Sequence, residues 1–312
     1  MRKNIIKSIY LGIAVVVLAL LIGAFFINRP REIHVSAYTK PYSVNSQVHI
    51  KDSVDIELLM DQADSFYSDK EQIVSSYIKG AEGQVKLNIT GIYLESSNIL
   101  VYDEKYYIFH YVFEIDFKTS DDYELFIKDA ILELEYKNGV KSKLNIGSFS
   151  YYKYSESSED LMISNLKVIN KYKNDTNFYG FQIGLRNLST YDIEVHNIKL
   201  LDINAKIGEI LELDAMNESK EIEDYFNNYE SIEENKNIKL NINSKENKCY
   251  TIALSNMDEY NLMYPLERAG ILIEYTINGE YKTFVFENFL FYEQSFVDLS
   301  KYKFDIYTYD NN

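Results

Sequence analysis

Residues 106–117 read YYIFHYVFEIDF, and the period of that stretch decides the fold. Tyr107, Phe109, Tyr111, Phe113, Ile115 and Phe117 fall on alternate positions, with Glu114 and Asp116 between them towards the end. Successive side chains point to opposite sides only in an extended chain, so six large apolar residues on one face describe a half-buried strand. The same period holds from about residue 84 through most of the chain. AILELEYKNGVKSKLNI, residues 130–146, alternates on both sides of Asn138-Gly139, and ILIEYTINGEYKTFVF, residues 271–286, does so around Asn278-Gly279. Asn-Gly suits a two-residue type I′ turn, which needs positive φ at both positions, so each stretch is expected to form a hairpin.

Two internal echoes bear on the architecture. FEIDFKTSDDYELFI, starting at Phe113, matches FQIGLRNLSTYDIEV, starting at Phe181, in register. The two Asn-Gly hairpins match as well, with Phe149 and Tyr152 against Phe289 and Tyr292. The expectation is an all-β chain of two tandem antiparallel β-sandwiches: 81–160, then 161–312 carrying an acidic insertion near 205–237. On this reading Phe113 and Phe181 lie on equivalent strands. The strand pattern, and the turn in GLRNLSTYDIEVHNIKL at 184–200, resemble the immunoglobulin-like modules of bacterial membrane-anchored surface proteins. The resemblance covers roughly 161–201 and, more loosely, 85–150. It carries no functional motif, so it implies a fold and no activity.

The N-terminal side is expected to be helical. Residues 9–27 carry no charge, and 19 residues at about 1.5 Å each reach roughly 28 Å, close to the hydrocarbon thickness of a bilayer. Arg2, Lys3 and Lys7 precede the run, so residues 1–28 are expected to be a cytoplasmic tip and a single-pass anchor with the remainder exported. A cleaved signal peptide and a buried core helix are the alternatives. The run is long for a signal peptide, and the one small-x-small site, Val35-Ser36-Ala37, lies well beyond it. Residues 29–80 are expected to be a juxtamembrane segment with an amphipathic helix over 52–79. Ile56, Leu59, Met60, Ala63, Phe66, Tyr67, Ile73, Val74, Tyr77 and Ile78 recur at helical spacing, Asp52 or Ser53 could cap the start, and Gly80 could end it.

All 48 acidic residues but only 27 of the 32 basic ones lie after residue 31, a formal charge of −21 for the exported part. Such a field repels nucleic acid and attracts basic partners. A single cysteine, Cys249, rules out an internal disulfide; it reads as a small strand hydrophobe, with an interchain disulfide as the alternative. Signals for chemistry are sparse. The Ser-x-x-Lys matches at Ser76, Ser150, Ser164 and Ser300 lack the companion Ser-Asp-Asn and Lys-Thr-Gly of penicillin-recognising enzymes. His34, His49, His110 and His196 show no zinc-helix spacing. No catalytic residue, cofactor or metal site is therefore expected.

The most unusual segment is EILELDAMNESKEIEDYFNNYESIEENKN, residues 209–237. Between Glu212 and Glu234 it holds nine carboxylates against Lys220, interleaved with Tyr225, Phe226 and Tyr229. Its plain reading is a solvated loop with a helical piece. Its functional reading is a contact for a basic protein partner, with Glu221, Glu223 and Asp224 steering and Tyr225, Phe226 and Tyr229 anchoring. A calcium site is the third reading, although nothing follows an Asp-x-Asp-x-Asp-Gly pattern. At the level of function, the chain is expected to be a non-catalytic, membrane-anchored binding or scaffolding protein of the bacterial envelope. The alternative is an extracytoplasmic hydrolase whose paired carboxylates are assembled by the fold; it requires a concave pocket holding two carboxylates with little other charge nearby.

Overall fold

A computed structural model describes residues 15–18, 31–101, 104–170, 178–201, 206–213, 235, 237–255, 268–290 and 305–309. The chain is all-β. Nine strands form one sheet: β1 (Arg31–Ala37), β2 (Lys40–Gln47), β3 (Ser53–Met60), β4 (Ile73–Lys79), β5 (Gln84–Val101), β6 (Glu104–Ile115), β7 (Tyr123–Tyr136), β8 (Lys141–Tyr154) and, from the far end of the chain, β17 (Asp305–Tyr309). Their order is β17-β1-β3-β6-β5-β4-β7-β8-β2. The sheet curls around one core, because Val35 of β1, Ile56 of β3, Phe113 of β6, Leu132 of β7 and Phe149 of β8 belong to a single buried cluster.

The remaining strands are β9 (Leu161–Asn170), β10 (Phe178–Asn187), β11 (Ile193–Leu200), β12 (Lys206–Leu213), β13 (Leu240–Ile242), β14 (Asn247–Ser255), β15 (Arg268–Ile277) and β16 (Glu280–Leu290). They form two four-stranded sheets, β12-β14-β10-β9 and β13-β11-β15-β16, around a second core of Phe181, Ile183, Val195, Ile252, Ile273 and Tyr275. The two units share a strand order. Taking β1 and β2 as two halves of a first strand, and leaving the three-residue β13 and the added β17 out of the count, each unit sets its first strand beside its second, its second beside its fifth and its fifth beside its fourth; the third, sixth and seventh run side by side. In the first unit β1 pairs antiparallel with β3, whereas β2 pairs parallel with β8.

Residues 52–79 are not a helix. They form β3, two 3₁₀ turns (Phe66–Ser68 and Lys70–Gln72) and β4. Leu58, Leu59 and Met60 are all buried, because β3 has a second apolar neighbourhood of Tyr38, Ile99 and Ile108 on the face away from the main core. A strand buried on both faces loses its period of two, and the run can then be fitted to a helix. Asp52, expected as a helix cap, is instead a buried carboxylate at the entry to β3.

The strand echo also fails. Phe113 lies on β6, the fifth strand of its unit, and Phe181 on β10, the second. What the two stretches share is amphipathic alternation, which any half-buried strand requires. The hairpin echo corresponds in position: β7–β8 and β15–β16 are the last two strands of their units. Their turns differ. Asn278 and Gly279 have φ of 48° and 77°, as a type I′ turn demands. At the other hairpin only Gly139 is positive, at 82°, and the Gly139 amide donates to the Tyr136 carbonyl while the Tyr136 amide donates to the Val140 carbonyl. That is a type I turn closed by a left-handed residue in a three-residue loop.

Val15–Leu18 are helical, and the rest of the apolar run at 9–27 lies outside the described residues. Among the described residues no helix is long and apolar enough to cross a membrane. Glu221, Glu223, Asp224, Tyr225, Phe226 and Tyr229 also lie outside the described residues.

Candidate functional site

The polar chemistry buried most deeply lies where β2 turns into β3. Lys153 and Asp52 have side chains 1% and 4% exposed, and Lys153 Nζ stands 2.6 Å from Asp52 Oδ2. The ammonium also donates to Ser46 Oγ at 2.7 Å and to the carbonyls of Gln47 at 2.9 Å and Ile50 at 2.6 Å. Asp52 in turn accepts from the Tyr151 hydroxyl at 2.7 Å and from Ser46. Every partner is local to the β2–β3 turn or to β8, so this network folds the turn around a lysine from the last strand. It also disposes of one Ser-x-x-Lys pair: Lys153 faces Asp52, whereas Ser150 Oγ donates to the Leu201 carbonyl at 3.2 Å. Ser76 sits on a strand with its hydroxyl on the Leu87 carbonyl, and Ser164 bonds Asn247.

The two units meet side by side. Tyr154 of β8, Leu201, Leu272 of β15 and Val285 of β16 form a small buried cluster between them, with Tyr152 at its margin. Polar contacts surround it. Tyr154 donates to Glu287 Oε1 at 2.6 Å, Ser43 Oγ and Ser150 Oγ both donate to the Leu201 carbonyl, and Asn45 Nδ2 donates to the Glu287 carbonyl at 3.1 Å. Gly270 lies at this seam, where a Cβ would stand 2.8 Å from Leu201 Cδ1 and 3.0 Å from Asn45 Nδ2. The connector is pinned as well: Ser158 N donates to the Thr283 carbonyl at 2.8 Å, Val285 N to Ser157 Oγ at 3.0 Å, and Lys282 pairs with Asp160 at 2.7 Å. Lys282 and Ser158 together hold the Asp160 carboxyl below the ordinary carboxylate range.

Two clefts flank the seam. One, of about 370 Å³, has Asp55 and Glu57 in its wall together with Lys40 and Arg268. It does not meet the requirement set for a carboxylate hydrolase, because Glu57 is ion-paired to Lys40 at 3.0 Å and Asp55 lies 3.1 Å from His110 Nδ1. The other, of about 540 Å³, is lined by Tyr154, Glu159, Leu161, Met162, Leu188 and Phe284. Among the described residues no group of three or more His, Cys, Asp and Glu side chains could hold a metal ion. His34 lies 3.5 Å from Asp61, His196 hydrogen-bonds Thr276, and Cys249 is half-buried on β14.

The acidic segment falls between β12 and β13 in the sequence, and its residues 214–234 lie outside the described residues. β12 ends at Leu213, which pairs with Cys249, and the Asn235 amide donates to the Ile207 carbonyl at the other end of β12. The loop between β10 and β11 is held by Asn187, a fully buried amide that donates to the Tyr191 and Ile242 carbonyls and accepts from Ser189. The N-L-S-T sequence carried a turn signal for this loop. No such signal marked the Lys153 network, whose parts are scattered through the sequence.

No protein-family model matches the sequence, and a comparison with curated proteins likewise finds no match. Solved structures give weak likenesses. A protein of unknown function from Porphyromonas gingivalis W83 is 10% identical, covering 81% of this chain and 97% of that one at a TM-score of 0.23. The C-terminal domain of the antigen I/II polypeptide BspA from Streptococcus agalactiae is 8% identical, covering 82% and 99% at 0.19. The D00-D0 domain of intimin is 7% identical, covering 83% and 100% at 0.20. These scores fix neither a family nor an activity.

Proposed function

We propose that the chain is a non-catalytic binding or scaffolding protein, built of two tandem immunoglobulin-like sandwiches and held on the outer face of a bacterial membrane by its N-terminal apolar run. The observation that carries the architecture is the repeated strand order. First-second-fifth-fourth in one layer and third-sixth-seventh in the other is the ABED/CFG arrangement of immunoglobulin-type sandwiches. The split of the first strand, half antiparallel to the second and half parallel to the seventh, fits the same plan. A retained anchor gains support from β1. Cleavage after Ala37 would remove the whole strand, including the buried Ile33 and Val35, which belong to the first core.

Binding is the reading because the fold offers sheet edges and inter-strand connections, and the sequence between β12 and β13 is a run of carboxylates and aromatics. A basic partner confined near the membrane would be steered by Glu221, Glu223 and Asp224 and held through Tyr225, Phe226 and Tyr229. The test is affinity capture from solubilised membranes, followed by association kinetics with the purified partner. Replacing Glu221, Glu223 and Asp224 with Ser slows association and flattens its salt dependence while the unfolding transition is unchanged. A variant that associates with wild-type kinetics removes the segment from the contact.

A further inference from the structure

Among the described residues the three sheets have six edge strands, and five of them are defended. β2 is covered by the second unit through Ser43 and Asn45. The outer side of β16 is occupied by Ser157 and Ser158. β13 has three residues, β17 has five, and β12 carries Lys206, Glu209 and Glu212 with a register shift between Ile207 and Ile210. β9 differs. It has ten residues, one charge (Lys167) and no proline, and between two irregularities, one at Ser164 and one opposite its end between Phe178 and Gly180, the stretch from Asn165 to Ile169 pairs with β10 without a shift. A long edge with so little charge is a template for another strand.

Beside the start of β9 lies the cleft of about 540 Å³, where Met162 and Leu188, 36% and 39% exposed, stand with Phe284 and Tyr154. Glu159 is in its wall and Glu156 is nearby on the connector; among the described residues neither makes an ion pair. We infer that the β9 edge and this cleft form one docking surface for an extended segment of another polypeptide, which adds as a strand beside Asn165–Ile169, places a large apolar side chain in the cleft and carries lysine or arginine near it. Strand addition supplies affinity through main-chain hydrogen bonds, and the cleft supplies selectivity. Charge decides the occupant. A second copy would bring another formal charge of −16 to an edge flanked by carboxylates, whereas a basic segment is attracted to it.

The inference rests on the reading of the chain as a binding protein but not on the acidic segment. The probes are the blocked peptide KVTVLTVKT, its counterpart with both lysines replaced by glutamate, and a version of the first N-methylated at alternate residues, each titrated onto the full chain in detergent. The basic peptide binds about tenfold more tightly than either control and slows amide exchange at residues 165–169, and Met162→Ser with Leu188→Ser weakens it at unchanged thermal unfolding. Equal binding of the three peptides, or unaltered exchange at 165–169, overturns the proposal. If membrane capture yields a partner while the peptides leave β9 unprotected, strand addition fails and the binding reading stands; protection of β9 by the basic peptide with no partner captured separates the two in the opposite sense.

Discussion

Replacing Lys153 with methionine removes one half of a buried ion pair and leaves the other behind. Asp52 would keep its bonds from Ser46 and Tyr151, but its carboxylate would face no cation, the Ile50 carbonyl would lose the lysine as donor, and the Gln47 carbonyl would keep only its bond from the Ile50 amide. Breaking a buried pair from one side costs about 3–5 kcal/mol, most of it the desolvation of the charge left unpaired. A domain is stable by only about 5–15 kcal/mol, so the first unit loses roughly a fifth or more of its stability. With a urea slope of roughly 2 kcal/mol/M, the midpoint of its transition falls by about 2 M. Asp52→Asn is damaging for the converse reason, since it leaves the ammonium among neutral acceptors. The double variant, Asp52→Asn with Lys153→Met, buries no net charge and is less destabilised than the sum of the singles by more than about 1 kcal/mol. Urea unfolding followed by amide exchange on β8, which assigns the transition to the first unit, is the assay. Single replacements that each cost under about 1 kcal/mol, with additive effects, would refute the reasoning.

Further outcomes follow from other parts of the fold. Gly80→Ala destabilises the first unit by about 1–3 kcal/mol in thermal unfolding, because its Cβ would stand 2.1 Å from Cγ2 of the fully buried Ile127. Burial, with Asp122 as a secondary cause, pushes Tyr152 up to about 12, and burial likewise raises Tyr111 and Tyr250. Folded pKa values above the ordinary 10.0 mean that this stability is complete below pH 10 and is lost as pH rises through the folded values. In absorbance titration at 295 nm a set of tyrosines therefore ionises only on alkaline unfolding; a single titration of all 29 near pH 10 contradicts this. The sign is opposite for Asp160, whose depressed carboxyl stabilises above the unfolded value of 3.8 and ceases to do so as pH falls through the folded one. Lys282→Met should accordingly flatten the acid limb of the stability profile. Mass spectrometry of the mature protein should show the N-terminal apolar run retained, and Tyr38 as the first residue would overturn the anchor.

The strands with one wet face were legible in the sequence, because alternation is a direct imprint of burial on one side. β7 shows it plainly, with Leu132, Leu134 and Tyr136 buried between Glu133 and Glu135. β3 was not legible for the inverse reason: with Leu58, Leu59 and Met60 all inside, its pattern no longer distinguished a strand from a helix. The Asn-Gly dipeptides located both hairpins but not both turn types, since one added residue at Lys137 converts a two-residue loop to a three-residue one. Topology was out of reach of local pattern. β6 and β10 look alike because each turns alternate large apolar side chains to a core, although β10 is buried on both faces and they stand at different places in their sheets. The Lys153–Asp52 pair joins residues about 100 positions apart, and nothing in either neighbourhood announces it.

The central claim, that this is a membrane-held binding protein, is tested most directly by photo-cross-linking in intact cells. A photoreactive amino acid is placed at Tyr225 within the acidic segment, and at Tyr281, exposed on β16, as a control. The account predicts a discrete cross-linked species from the Tyr225 position, containing a protein with a basic contact surface, lost when Glu221, Glu223 and Asp224 are replaced with Ser and absent from the Tyr281 position. Equal, diffuse labelling from both positions, or a Tyr225 adduct that survives the charge replacements undiminished, would contradict it.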